Sequence, residues 1–214
     1  MLPESIRDSY HELRTKILEG HYSPGQPLVE LDLANQLGLN RARVRQLIQR
    51  LERDLLVERI PRKGAFVSTI TAKKLQEIFE IRMGLEGIAS RLAALRREGK
   101  ELDNIMELFE EEGEKPLSED GLTAKINLGE RLHHFIIKSA GNSLIDHAMK
   151  PLRLQIYRIW QGSIRIPERI NKAFAEHKEI IRAIKDGDGE LAEKLMRKHL
   201  SHAYHDCVNI MPHV

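Results

Sequence analysis

Two groups of residues in this 214-residue chain have types and spacings that can do chemistry. The first is basic. Arg41, Arg43 and Arg45 follow Asn40 directly, and Arg62-Lys63-Gly64 comes shortly after. A guanidinium is a planar fork of donors that matches guanine O6 and N7 in the major groove and also binds phosphate. Between Gln36 and Gly64, eight Lys and Arg are opposed only by Glu52, Asp54 and Glu58. A stripe so concentrated is the electrostatic footprint of a nucleic-acid surface. The second group is histidine. Only His11 and His21 precede residue 70, while eight of the ten follow it, and His133, His177 and His199 carry imidazoles suited to a divalent transition metal. Arg82 stands apart: it interrupts an apolar face made by Ile78, Phe79 and Leu85. A buried arginine needs an anion, either Glu86 one turn on or a carboxylate from outside.

The elements that must hold these residues are legible. Ile6, Tyr10, Leu13, Ile17 and Leu18 recur at helical spacing, with Gly20 as a stop. Ser23 to Pro27 is a turn cluster, and a short helix over Leu31–Leu37 ends at Gly38. Asn40 is a good N-cap for the next helix, in which Val44, Leu47, Ile48 and Leu51 form one apolar face. The arginines fall where that face is not. Leu56–Ile60 and Ala65–Ser68 read as two strands around Pro61-Arg62-Lys63-Gly64, a β-hairpin wing. From Thr71 onward strand signals vanish, and about six helices follow, with breaks near Gly99, Gly113–Gly121, Gly141-Asn142, Gly162–Pro167 and Asp186–Asp188. The fold class is therefore mainly α: an N-terminal winged helix-turn-helix over 1–70 and an all-α bundle over 71–214.

Composition narrows the alternatives. Hydrophobic residues make up 41% and charged residues 31%, a globular balance rather than a disordered one. No apolar run approaches the roughly 18–20 residues that span a bilayer, so no membrane role is expected. Cys207 is the single cysteine, which fits a reducing, cytoplasmic setting. A net charge of +2 would argue against DNA if the charge were spread evenly, and it is not.

Tyr10 through Thr69 resembles the winged-helix domain of GntR-type transcriptional regulators, most clearly at Gly25-Gln26-Pro27-Leu28-Val29-Glu30, Leu33-Ala34, Leu37-Gly38, Val44-Arg45, Leu51-Glu52 and Gly64-Ala65-Phe66-Val67. The resemblance implies that Asn40, Arg41, Arg43, Arg45, Arg62, Lys63 and Gly64 make up the DNA-binding surface, with Arg41 and Arg45 reading bases and Gly64 near the minor groove. The family often has Thr-Pro where this chain has Ala42-Arg43, and arginine where it has Leu31, so an operator unlike the family's commonest is expected.

Ile81–Ala89, His133 with Gly141-Asn142, Glu176–Ile184 and His199-Leu200 resemble the ligand-sensing domain of the FadR-type subgroup. Many members of it hold a divalent metal through one aspartate and three histidines, and the metal helps bind a small carboxylate. On spacing alone, His133, His177 and His199 are read as separate, hydrogen-bonded core histidines ahead of a shared metal site. The resemblance makes them ligands of a Zn-, Ni- or Mn-like ion and makes Arg82 an effector contact. The aspartate position, four before His133, holds Gly129, which leaves Glu130 as a possible replacement ligand. His202, His205 and His213 read as surface or tail residues, and Tyr157 and Trp160 as packing residues.

The function expected is a cytoplasmic, homodimeric regulator that binds a palindromic DNA operator and responds to a carboxylate effector. The alternatives are a metal-dependent enzyme using the histidines, and a constitutive regulator lacking metal and effector.

Overall fold

The computed structural model describes residues 4–96, 99–113, 118–163 and 167–210. Tyr10, Leu13 and Ile17 share one face of α1 (Glu4–Leu18) and are buried. In α2 (Glu30–Leu37) the last turn is closed by Gly38, whose left-handed backbone (φ 62°, ψ 30°) aims its N–H at the Ala34 carbonyl. Glycine takes that conformation without a Cβ penalty. Asn40 then starts α3 (Arg41–Arg53), its side chain accepting from the Arg43 amide at 2.9 Å. Val44, Leu47, Ile48 and Leu51 are fully buried on one side of α3, and the arginines between them are exposed.

The wing is a hairpin of β2 (Val57–Ile60) and β3 (Gly64–Val67), with Ile60 opposite Gly64. A third strand, β1 (Pro27–Leu28), pairs antiparallel with β3 and gives the order β1-β3-β2. This two-residue strand lies in what the sequence presents as a turn cluster.

The chain divides into two compact units, Met1–Thr71 with Lys150–Gly162, and Ala72–Met149 with Ser163–Val214. In the first, Tyr10, Leu13, Ile17, Leu33, Val44, Leu47, Ile48, Leu51, Leu56 and Val67 form the core, and Leu154 packs against it. Residues of α7 (Ser143–Ser163) also satisfy backbone groups of this unit. Gln155 Nε2 donates to the Leu55 carbonyl at 2.8 Å, and Arg158 donates to both Ser68 Oγ and the Ser68 carbonyl at 2.7 Å. Burial lowers the Arg158 pKa from its ordinary value.

In the second unit, α4 (Ala72–Leu95) packs on α9 (Gly189–Ile210), α6 (Glu119–Ser139) and α8 (Pro167–Asp186), while α5 (Gly99–Gly113) lies against α6 and α8. Ser118 caps α6 through the Gly121 amide, and Asn142 accepts from the Leu144 and Ile145 amides at the start of α7. Leu75, Ile78, Leu132, Ile136, Ile180, Ile184, Met196 and Leu200 fill the interior. The helix boundaries follow the breaks read from the sequence. Among the described residues no helix is long and apolar enough to cross a membrane. His213 and the Trp160 side chain lie outside what is described.

Leu47 sits at 0% exposure in the first core. Leu47→Ala in the full chain is expected to cost about 2–5 kcal/mol through lost burial and a cavity, read as a lower denaturation midpoint in urea.

Candidate functional site

On the first unit, α3 presents Arg41, Arg43 and Arg45 on its exposed face. Arg45 is not loose: its Nε reaches both oxygens of Glu30, at 3.2 and 2.9 Å. Two arginines of the basic stripe are occupied elsewhere. Arg50 lies over the Tyr10 ring at 4.9 Å and beside Asp54, and Arg59 pairs with Glu52 at 3.5 Å. Exposed basic residues of the stripe also stand at the start of α3, at its end in Arg53, and at the tip of the wing. In the wing, the Lys63 amide closes a turn onto the Ile60 carbonyl at 3.0 Å. Arg62 occupies the left-handed region at φ 65°, next to Gly64 at φ 107°. A non-glycine residue there carries backbone strain, and Arg62 and Lys63 are exposed.

The second site lies where α6, α8 and α9 bring His133, His177 and His199 together. His177 Nε2 is 3.2 Å from His133 Nε2 and 3.1 Å from His199 Nε2. Among the described residues these three form the group whose ligand atoms fall close enough to share one ion. His177 and His199 are buried, and His133 is largely so. Two carboxylates stand behind them. Glu86 Oε2 is 2.5 Å from His133 Nδ1, and Glu176 Oε2 is 2.7 Å from His199 Nδ1. Each accepts the Nδ1 proton, which turns the Nε2 lone pair inward.

Burial, with the neighbouring imidazoles, holds the His177 pKa well below its ordinary value. Burial also lowers His199 to about 4, although Glu176 pulls the other way. Both rings are therefore neutral near pH 7, as ligands must be. Burial would raise the Glu86 pKa, but Arg82 and His133 outweigh it and bring the carboxyl to about 2.

The fit to a cation rests on these atoms. Nitrogens each about 2.0–2.1 Å from one ion stand about 3 Å apart, as here. With the Nδ1 protons taken by carboxylates, a single Nε2–H on His177 can serve only one of its two neighbours. A shared cation serves all three. His177 Nδ1 itself is buried with no hydrogen-bond partner among the described residues.

Arg82 is buried and donates from Nε to Glu86 Oε1 at 2.6 Å. Its Nη1 is buried without a hydrogen-bond partner among the described residues, so the internal anion does not exhaust it. Glu130 is exposed and does not join the histidine group. Burial raises the Glu130 pKa, while His133 and Arg82 pull it down, so its carboxylate feels the site without joining the histidine group. His134 is exposed as well, which leaves His133 as the inward histidine of the pair.

Glu176 was not foreseen in the sequence. It also accepts from His202 Nδ1 at 2.6 Å and lies against Arg169, which meets Asp206. His202 is thus partly buried and partnered rather than a free surface residue. These partners come from different helices, and no spacing along one helix announces them.

Comparison with known proteins gives a family for each part of the chain. Residues 6–67 match the family described as bacterial regulatory proteins, gntR family, and residues 77–202 match the FCD domain. A Bacillus subtilis (strain 168) protein, the uncharacterized HTH-type transcriptional regulator YdhC, is 28% identical over 94% of this chain and 88% of its own. The probable D-xylose utilization operon transcriptional repressor of Paenarthrobacter nicotinovorans is 30% identical over 87% of this chain and 81% of its own. Among solved structures, E. coli McbR/YncC superposes with a TM-score of 0.73 at 19% identity, over 97% of this chain and 99% of that one.

Two outcomes follow from the geometry. Arg62→Gly relieves the left-handed backbone and is expected to raise stability by up to about 1 kcal/mol. The same change should weaken DNA binding and flatten its salt dependence by about one unit of slope. A thermal melt and a salt-titrated binding assay read the two effects. The second outcome concerns pH. His199 has a folded-state pKa of about 4, so its contribution is complete above about pH 6.5 and is lost as pH falls toward 4, and His177, lowered well below its ordinary value, acts in the same direction. Chelator-treated protein should therefore lose stability across that window, by up to about 1.4 kcal/mol per pH unit for each ring, in urea titrations at fixed pH values.

Proposed function

This chain belongs to the gntR family of bacterial regulatory proteins and carries an FCD domain, and from that premise we propose how it uses its two sites. It is a DNA-binding transcriptional regulator and not an enzyme. The proposal assigns DNA reading to residues 1–70, and effector binding and dimerisation to 71–214. Arg41 and Arg45 read base edges in the major groove. Asn40 fixes the start of the helix and, with Arg43, faces the backbone. Arg62, Lys63 and Gly64 of the wing follow the minor groove. Two copies related by a two-fold axis bind a palindromic operator. The observation that carries this reading is the exposed arginine face of α3 beside a basic wing tip.

The second part of the proposal is a metal-assisted sensor. His133, His177 and His199 hold a divalent transition metal, and Arg82 offers its unpartnered Nη1 to a small carboxylate effector. When bound, the ion supplies a positive centre for an anionic oxygen. An effector that prefers one arrangement of the helices shifts operator affinity by its differential binding. The convergence of the three Nε2 atoms supports this over a constitutive regulator. A cytoplasmic location follows from the DNA partner.

Selection from random duplex DNA tests the reading. The full chain is expected to enrich a palindrome, and Arg45→Ala to relax one base position in each half-site at a cost of about 1–3 kcal/mol. No enrichment over random DNA would refute it.

A further inference from the structure

Gly129 is in the middle of α6, in ordinary helical backbone, so no turn or special φ calls for glycine there. The demand is steric. A Cβ at this position would stand 2.7 Å from His177 Cε1 and 3.2 Å from His177 Nδ1. The ring cannot simply step back. Phe109 of α5 meets it edge to face, with centroids 5.9 Å apart at 83°, and Phe109 is itself stacked on Phe174 at 4.7 Å. His177 therefore reaches His133 and His199 by occupying the space that any side chain at 129 would fill.

The same residue decides what else can touch an ion there. Position 129 offers no donor, and Glu130 is exposed. The two carboxylates that touch the histidines are already committed at both oxygens. Glu86 holds Arg82 with Oε1 and His133 with Oε2, and Glu176 holds His202 with Oε1 and His199 with Oε2. Among the described residues, no carboxylate oxygen falls close enough to all three imidazoles to share one ion with them.

Resting on the metal reading above, we infer that Gly129 makes this a three-imidazole site: it admits His177, excludes a protein carboxylate from the ion, and leaves a coordination position for an exogenous anionic oxygen donor. Three neutral nitrogens leave the full divalent charge for that anion to meet. Imidazole-only donor sets favour zinc, nickel, copper or cobalt over manganese and magnesium, which prefer oxygen.

Chelator-stripped full-length protein, titrated with zinc and with manganese against a competing chelator, tests this. Wild type is expected to bind one zinc per chain and manganese at least 100-fold more weakly. Gly129→Ala is expected to lose zinc affinity by about 10–100-fold, the scale on which displaced supporting groups weaken metal sites. Cobalt-loaded wild type should change its visible spectrum when acetate is added. That arm and the zinc-to-manganese ratio need no variant, so they decide the matter even if Gly129→Ala does not fold. A Gly129→Ala protein that binds zinc like wild type would overturn the inference. So would equal zinc and manganese affinities, or a cobalt spectrum indifferent to acetate. A wild type that binds no zinc at all would instead overturn the metal reading itself.

Discussion

Three imidazole nitrogens pointed at one spot inside an apolar bundle are a constraint that the surrounding helices must satisfy together. Each neutral ring has one protonated and one bare nitrogen. Glu86 and Glu176 fix which is which on His133 and His199; Arg82 and His133 keep Glu86 ionised, and His199 and His202, with Arg169 behind them, keep Glu176 so. Removing one member would leave another charge or lone pair uncompensated, and that costs more than the intact pair contributes. The contacts of α4 with α6, and of α8 with α9, are therefore tied by polar geometry as well as by Ile78, Leu132, Ile180 and Leu200. Apolar packing alone tolerates small slips. A cluster whose atoms must meet within about 3 Å does not.

The DNA-reading unit is organised in the opposite way, with the chemistry outside and the apolar residues within. Val44, Leu47, Ile48 and Leu51 anchor α3, which leaves its arginines no place except the surface. Glu30 then limits what one of them can do. A guanidinium held across two oxygens has fewer rotamers to lose on meeting a further acceptor, though it must give up or share that partner. Net charge hides this arrangement because it averages a basic stripe with a balanced helical part.

Most of the fold was legible because helices announce themselves through spacing. Gly38, Asn40, Gly141 and the Asp186–Asp188 break mark real boundaries, and the apolar face of α3 is the one that is buried. β1 was not legible: two residues beginning with Pro27 carry no periodicity, and only β3 alongside makes them a strand. In the site, His133, His177 and His199 were readable as inward residues, and the pairing of Arg82 with Glu86 followed from one helical turn. The role of Glu176 was not readable, since its partners His199 and His202 belong to another helix. Gly129 showed in the sequence as a missing carboxylate, whereas the room it leaves for His177 depends on where α8 runs.

α7 changes allegiance along its length, close to Pro151, which lacks the amide needed to continue the helical ladder. Its residues 150–162 belong with the first 71, covering the core with Leu154 and donating to the carbonyls of Leu55 and Ser68. The DNA-reading unit is therefore discontinuous in sequence. A gene fusion that transplanted only the first 71 codons onto another sensor would carry a head with a missing wall, its Ser68 carbonyl stripped of the Arg158 donor and its Leu55 carbonyl left with Ser68 Oγ alone.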